Sequence, residues 1–452
     1  LKGQDFLDPN FVSINNTNLR TNRTTTTQRR LVSLFGSATV NYRDLLYVTA
    51  TARNDWTSTI PQDRNSFIYP SLSTSFIFSD AFPAIGRFMT GKLRAGYAEV
   101  GKDARPYAYR PSLEFKTTSY GGYGYGFTGP NLGLKPEFAR SYETGTELGF
   151  LQDRLGLDVT WYRKQTKDQI VNDIRGSYAT GFILFNLNGA VTRNEGVEIM
   201  LRGTPVLRSN FSWDFFANFD RARGKTLALP NALPESYVSD TWLFGNVRNG
   251  TAPGLSTRSL TGLFYLRDTI PGSHKLLIDP TTGLPLRSTS FIDAGYDRQP
   301  DWTMGLTNTF RYNRFSLNFL VDIRRGGDIF NATEHLLTAR GLSERTLDRR
   351  TPRVIEGVLR DGKENTANPT KNTIVVIPAV QTAFYTNISE ELFIEKDINW
   401  VRLRDVRLSY ELPGGIFGAH NASVFVTGTD LLLFTNYSGI DPIVNGNTAA
   451  VG

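Results

Sequence analysis

Hydrophobic and polar residues alternate with a period of two along many stretches of the chain, most clearly between Leu134 and Ile170. Successive side chains of a β-strand point to opposite faces, so this alternation predicts strands with one apolar and one polar face. Residues 152–154 interrupt the pattern, and the alternation then resumes with the same apolar face, which predicts a hairpin with a short turn. The apolar face of this hairpin comprises Thr144, Thr146, Leu148, Phe150, Leu155, Leu157, Val159 and Trp161.

The same pattern recurs along the chain and predicts about six hairpins, hence about twelve strands. In the last hairpin the apolar parity changes between Leu403 and Val406, which predicts a β-bulge near Arg404. The other apolar runs are Val32–Val40, Leu46–Ala52, Ile68–Phe78, Leu93–Tyr97, Val197–Leu201, Phe211–Phe219, Trp302–Phe310, Phe315–Ile323, Val401–Tyr410 and Ala422–Val426.

The segments without alternation are predicted to be loops. The longest are residues 1–28, 105–133, 221–300 and 326–397, and short helical turns are expected within 79–91 and 328–337. All the short turns fall at one end of the predicted hairpins and all the long loops at the other. This one-sided arrangement is typical of a transmembrane β-barrel, whose turns face the periplasm and whose loops face outside.

Composition narrows the fold class to all-β. The 452 residues are 40% hydrophobic and 21% charged, and the mean hydropathy is -0.29. No run approaches the ~18 consecutive apolar residues of a spanning helix, so a membrane protein of this sequence must be an antiparallel barrel. The pattern leaves two other classes open: a complete passive outer-membrane channel of about twelve to fourteen strands, and a secreted, soluble β-rich carbohydrate-binding protein.

The inventory of reactive residues argues against an enzyme and predicts neither a cofactor nor a metal site. The sequence contains no cysteine and only three histidines, which are widely separated. The net charge of +7 comes from scattered Lys and Arg without a basic run, which argues against nucleic-acid binding. Residues 1–10 lack a leader pattern, so we expect either a chain that is not exported or an interior piece of a longer one.

A series of short motifs runs in a fixed order from about Arg30 to Pro442. The motifs are Arg53-Asn54-Asp55-Trp56, Tyr69-Pro70-Ser71-Leu72-Ser73, Lys92-Leu93-Arg94-Ala95-Gly96-Tyr97, Leu134-Lys135-Pro136-Glu137, Ser141-Tyr142-Glu143, Arg193-Asn194-Glu195-Gly196-Val197-Glu198, Pro300-Asp301-Trp302, Trp400-Val401-Arg402-Leu403-Arg404-Asp405-Val406 and Gly439-Ile440-Asp441-Pro442. In this order they resemble the SusC/RagA-type TonB-dependent outer-membrane transporters.

The resemblance implies a plugged barrel of about 22 strands, of which residues 1–452 would be the later part of one barrel domain. The signal peptide, plug domain and final strand of the family would lie outside this sequence. It further implies an active importer of oligosaccharides or peptides in the outer membrane of a Gram-negative bacterium. Its partners would be outer-membrane lipid, a SusD-like surface lipoprotein and, through the plug, the TonB-ExbB-ExbD complex.

Candidate site residues are aromatic and aliphatic. Loop aromatics could stack on a sugar or contact a partner, although such side chains also pack against their own loops. The loop candidates are Tyr120, Tyr123, Tyr125, Phe127, Trp242 and Phe244. Tryptophans near strand ends are candidate girdle anchors at the membrane surface, namely Trp56, Trp161 and Trp302. The predicted lipid-facing wall includes Leu157, Val159, Leu317, Phe319 and Val321.

Overall fold

Twelve long strands form one antiparallel sheet in which each strand pairs with its neighbours in the chain. The computed structural model describes residues 2–11, 13–21, 26–116, 122–176, 178–230, 233–237, 246–381, 383–413 and 422–443. The strands are β1 (Leu31–Tyr42), β2 (Leu46–Thr57), β3 (Ser66–Ile77), β4 (Met89–Lys102), β5 (Glu137–Phe150), β6 (Leu155–Arg175), β7 (Leu184–Leu207), β8 (Phe211–Ala228), β9 (Trp302–Tyr312), β10 (Phe315–Arg325), β11 (Trp400–Glu411) and β12 (Ser423–Thr435). The predicted all-β sheet of about twelve strands is therefore confirmed.

The short turns all lie at one end of the sheet, as predicted. They comprise residues 43–45, 151–154, 208–210 and 313–314. Asn313 has a φ of 50°, a left-handed conformation that asparagine tolerates and that closes the two-residue turn. The connection from β3 to β4 holds two short helices, α1 (Phe78–Ala81) and α2 (Pro83–Gly86), within the segment where a helical turn was expected.

Strand register separates the side chains into two faces. An apolar row crosses the sheet from β5 to β12, and the adjacent row on the opposite face, from β4 to β11, is mostly polar. The apolar row contains Leu148, Leu157, Leu201, Ala217, Leu306, Val321, Leu403 and Leu432. The opposite row contains Lys92, Glu147, Asp158, Met200, Asn218, Gly305, Asp322 and Arg402.

A β-bulge in β11 keeps these faces in register. The pairing of β11 with both neighbours shifts between Leu403 and Asp405. One extra residue at this point reverses the parity, so Leu403 and Val406 lie on the same apolar face. The bulge predicted near Arg404 is confirmed.

The long connections at the other end carry their own secondary structure. No helix in the described part of the chain is long and apolar enough to span a membrane. The loop strands are Lys2–Phe6, Thr17–Thr21, Leu113–Lys116, Gly122–Tyr125, Ser236–Tyr237, Val247–Thr251, Ser259–Gly262, Leu277–Ile278, Ile292–Asp297, Ile329–Phe330, Arg353–Val354, Val358–Leu359, Val375–Val376 and Ile394–Glu395. The loop helices are α3 (Ala332–Ala339), α4 (Ala383–Thr386) and the 3-10 turns Ile14–Asn16, Tyr178–Thr180, Glu344–Thr346 and Glu390–Phe393.

Several element boundaries differ from the sequence prediction. β8 continues to Ala228, although the loop was predicted to begin at Arg221. Residues 1–28 were expected to be irregular, but Lys2–Phe6 pairs with Thr17–Thr21. The helix expected within 328–337 begins later, at Ala332, because the Asn331 side chain accepts a hydrogen bond from the Glu334 amide at 3.0 Å and caps it.

The buried apolar core of the molecule lies in the loops. Its largest cluster combines residues from the connection between β8 and β9 with residues from the connection between β10 and β11, namely Val247, Leu260, Phe264, Tyr296, Phe330, Phe393 and Ile394. The apolar face of the sheet instead stays exposed, as at Leu72 (51%) and Val426 (73%). A water-soluble protein would cover such a continuous apolar face.

Candidate functional site

A network of charged side chains spans the polar face of β4, β5 and β6. Arg94 on β4 donates hydrogen bonds to Glu147 at 2.5 Å and to Asp158 at 2.5 and 2.8 Å. Lys92 forms a second ion pair with Glu147 at 2.8 Å, and Thr160 accepts a further hydrogen bond from Arg94. Because charges of both signs are paired here, the network holds three neighbouring strands together on the polar side.

This network borders a cavity of about 510 Å³ on the polar face near the turn end. Besides Lys92, Glu147 and Asp158, its wall includes Asp80 from α1 and Arg202 from β7. The lining offers hydrogen-bond donors and acceptors of both charges. Such a surface suits water or a polar protein segment.

Buried ion pairs join the two longest loops. We call residues 229–301 and 326–399 together the loop layer. Arg287 pairs with Glu390 at 2.5 Å, and Arg267 pairs with Glu391 at 2.7 Å. Burial raises the pKa of the Tyr296 hydroxyl, which donates to Glu391 at 3.2 Å. Since each bond connects one loop to the other, the loop layer is tied into a single unit.

A second, mainly apolar cavity of about 260 Å³ lies inside the loop layer. Residues of both loops line it, including Tyr265, Leu276, Phe384 and Leu392. Among the described residues, no group of three or more His, Cys, Asp or Glu side chains could hold a metal ion. Because its lining is mainly apolar, the cavity offers apolar contact area.

The predicted loop aromatics are only partly within the described chain. Tyr125 and Phe127 are 61% and 55% exposed, and the Tyr125 ring lies 5.2 Å from that of Phe182. Tyr123 shares the strand Gly122–Tyr125, but its side chain lies outside the described part. Tyr120, Trp242 and Phe244 also lie outside the described residues. The binding role of these aromatics stays a prediction.

The candidate girdle tryptophans lie at different levels. Trp56 is near the loop end of β2, and Trp302 is the first residue of β9, with its ring 5.8 Å from that of Phe219. Trp161 lies within β6 and is partly exposed. Their anchoring role stays a prediction.

The predicted wall residues share one face of the sheet. Leu157 and Val159 lie opposite in parity to Asp158, and Leu317, Phe319 and Val321 lie opposite to Asn318. Asp158 binds Arg94 directly, so a second guanidinium there would meet a like charge.

Sequence reasoning placed Glu147 on the polar face but missed its partners. The signal was the alternation Lys92-Leu93-Arg94, whose charged members share the parity of Glu147 once the register of β4 on β5 is known. That register depends on a connection of 34 residues between the strands, so it could not be read locally.

The chain matches the family model described as TonB dependent receptor-like, beta-barrel, over residues 2–318. It is 26% identical over 442 residues to the TonB-dependent receptor P26 of Formosa agariphila, an alignment covering 91% of this chain and 42% of that protein. It is 24% identical over 313 residues to the TonB-dependent receptor SusC of Bacteroides thetaiotaomicron, which covers 65% of this chain and 31% of SusC.

Among solved structures, the RagAB peptide importer in its closed-closed state superposes with a TM-score of 0.71 at 19% identity. The match covers 96% of this chain and 47% of that one, so the two share their fold. The chain spans less than half the length of these relatives. The resemblance to SusC/RagA-type proteins is confirmed, and the chain belongs to the TonB-dependent receptor-like β-barrel family of the Gram-negative outer membrane.

Proposed function

We propose that this chain is the later part of the barrel of an active outer-membrane importer. In the whole protein, a barrel of about 22 strands would surround a plug domain through which the TonB-ExbB-ExbD complex supplies energy. The substrate would be an oligosaccharide or a peptide, and a SusD-like lipoprotein would cover the loop end. The plug, the leader and the last strand of that protein would be supplied by residues beyond these 452.

The two edges of the sheet are the observation that carries this proposal. Within the described chain, β1 pairs only with β2, and β12 pairs only with β11. Every residue of β1 is exposed, so its outer edge presents a row of backbone groups without partners. In hydrocarbon each unpaired group costs several kcal/mol, which favours completion of the barrel by about ten further strands.

Features of the loop layer support a partner at the loop end. Leu342, Leu347 and Val380 expose apolar side chains there, although the layer has a well-packed core of its own. A lipoprotein lid would cover such residues. The exposed rings of Tyr125 and Phe127 suit a sugar face or a peptide side chain. The solved structure of RagAB is that of a peptide importer, which supports the peptide class.

Uptake by cells carrying the full-length gene tests the proposal. Labelled oligosaccharide and peptide mixtures would be offered to isogenic strains with and without TonB. An importer should accumulate label only in the strain with TonB, and the purified protein should give no steady conductance in a planar bilayer. A passive channel, the remaining alternative, would take up label without TonB and conduct ions continuously.

A further inference from the structure

Three arginines meet where the polar face of the sheet reaches the loop end. Arg324 lies near the end of β10 on the polar face, paired with Thr303 and Trp400. Its Nη2 donates to the carbonyl oxygen of Arg298 at 2.7 Å. The Arg298 amide in turn donates to the carbonyl oxygen of Arg258 at 3.1 Å. We call Arg258, Arg298 and Arg324 the arginine cluster.

The cluster has no acidic partner within the described chain. No carboxylate oxygen lies within ion-pair distance of these three guanidinium groups, and those of Arg258 and Arg298 donate no hydrogen bond there. Several other arginines of the loop layer are paired, for example Arg267 with Glu391 and Arg287 with Glu390. The cluster therefore differs from these arginines in that its three guanidinium groups make no direct ion pair with a described carboxylate.

The acidic groups around the cluster are engaged elsewhere or make no direct contact with it. Asp328 accepts the backbone amides of Asp297 and Asp397, and Asp301 pairs with Arg223. Asp220 and Asp322 share the polar face with the cluster and attract Arg258 and Arg324 electrostatically, but neither makes a direct ion pair with them.

Burial and repulsion from Arg324 and Arg258 lower the pKa of Arg298 to about 10. The guanidinium thus remains charged near neutral pH. A half-buried, protonated arginine that makes no direct ion pair can still donate charge-assisted hydrogen bonds to an added anion.

The backbone around Arg324 is shaped to hold its guanidinium in place. Gly327 has a φ of +92°, and a Cβ there would lie 2.6 Å from Arg324 Nη2 and 2.8 Å from the Arg298 carbonyl oxygen. Arg324 Nε donates to the Gly326 carbonyl oxygen at 3.2 Å, and the guanidinium carbon lies 4.8 Å from the centre of the Trp400 ring. These contacts fix the group and leave Nη1 free to donate.

We propose, building on the import function above, that the arginine cluster binds an anionic group of the incoming substrate at the outer mouth of the barrel. The group would be a carboxylate or a sulfate ester, because the planar fork of a guanidinium matches both. The substrate class would then be an acidic oligosaccharide or an acidic peptide. A neutral glycan would find no charge complement there.

Oxyanion binding can be measured on the full-length protein in detergent without any transport. Thermal unfolding is recorded in sodium sulfate and in sodium chloride of equal ionic strength. Sulfate raises the Tm of proteins in general because it is excluded from their surface, so the site should appear as a larger gain in wild type than in the double variant Arg298→Gln/Arg324→Gln. Arg360→Gln removes the same charge from an exposed loop position and should behave as wild type.

Calorimetric titration then distinguishes the sources of the anion. The probes are tri-galacturonate against its methyl ester, a sulfated disaccharide against its desulfated form, and a glutamate-rich peptide against its glutamine analogue. Wild type should bind at least one acidic member about tenfold or more tightly than its neutral partner, and the double variant should lose that difference. Arg298→Lys keeps the charge without the fork and should fall between them.

The inference is overturned if wild type gains no stability in sulfate over chloride and binds none of the acidic probes more tightly than its neutral partner. It is also overturned if the folded double variant keeps the full wild-type preference for sulfate and for the acidic probe. Since these assays involve no TonB, they remain decisive when uptake proves to be passive. Conversely, TonB-dependent uptake of neutral probes alone would support the import function and contradict the anion site.

Discussion

The sheet and the loop layer use the same apolar residue types in opposite ways. In the sheet, Leu72 and Val426 expose half or more of their surface, whereas in the loop layer Val247 and Phe264 are completely buried. The sheet has a polar face with paired charges, and the loop layer has paired charges inside its core. Two solvents explain the contrast: the sheet meets hydrocarbon, and the loop layer meets water.

This contrast determines what stabilises each region. The wall depends on its complete ladder of backbone hydrogen bonds, since unpaired groups are costly in lipid. The loop layer depends on excluding water from side chains that come from two distant segments. Removing apolar volume should therefore destabilise the loop layer most, and adding charge to the apolar face should destabilise the sheet most.

The largest effect is expected in the core of the loop layer. Phe264→Ala should cost about 3 to 5 kcal/mol of loop-layer stability because it opens a cavity among fully buried residues. Hydrogen exchange of the loop amides would report this loss. Leu347→Ala, at an exposed site of the same layer, should change little. Equal loss of protection in the strands would contradict the independence of the two regions.

Adding charge to the wall should be the next most costly change. Phe319→Arg should cost about 2 to 4 kcal/mol near the bilayer midplane, and Leu157→Arg should behave similarly. Leu320→Arg is the matched control, since Leu320 adjoins Phe319 but faces a polar cavity with Asn218 and Asp322. Reversible unfolding of the full-length protein in liposomes would measure the difference. Similar costs at residues 319 and 320 would argue against a lipid-facing wall.

Breaking the charge network of the polar face should have a smaller effect. Arg94→Met removes the partner of Asp158 and one partner of Glu147, both of which retain access to water. We expect a loss of about 1 kcal/mol, typical of a partly solvated ion pair. The double variant Arg94→Met/Asp158→Asn should recover part of this loss in the same unfolding assay. Additive losses would indicate that the two side chains do not interact.

A modest pH dependence is expected of the loop layer. Burial lowers the pKa of His335, opposed by Glu390 and reinforced by Arg287. Below about pH 6.5 the unfolded state binds a proton that the folded state resists, so stability should fall as the pH drops from there. His335→Gln should flatten this part of the profile. A wild-type loop layer that gains stability between pH 6.5 and 5.5 would contradict the sign.

The wall was predictable from sequence because its pattern is local. The alternation of residues within each strand identifies its apolar and polar faces. The bulge near Arg404 was likewise visible as a change of apolar parity. The pattern failed where the strands leave the membrane. Beyond Phe219 both faces of β8 meet water, so Arg221 and Arg223 occupy the parity that is apolar below them, and the continuing strand resembled a loop.

The loop layer and the arginine cluster were not predictable for a different reason. Arg287 and Glu390 are 103 residues apart, and no periodicity links them. Arg258, Arg298 and Arg324 likewise come from separate segments that meet only in the fold. The candidate loop aromatics were selected by residue type alone, and Tyr125 and Phe127 are the two whose exposure is now known.

The direct test of the account is the solvent met by successive side chains of β10. The sequence has no cysteine, so single cysteines at residues 315 to 323 can carry spin labels in the full-length protein in liposomes. Labels at odd positions should be relaxed by lipid-soluble oxygen, and labels at even positions by a water-soluble nickel chelate. An accessibility profile without this alternation would contradict a wall with hydrocarbon on one side and water on the other.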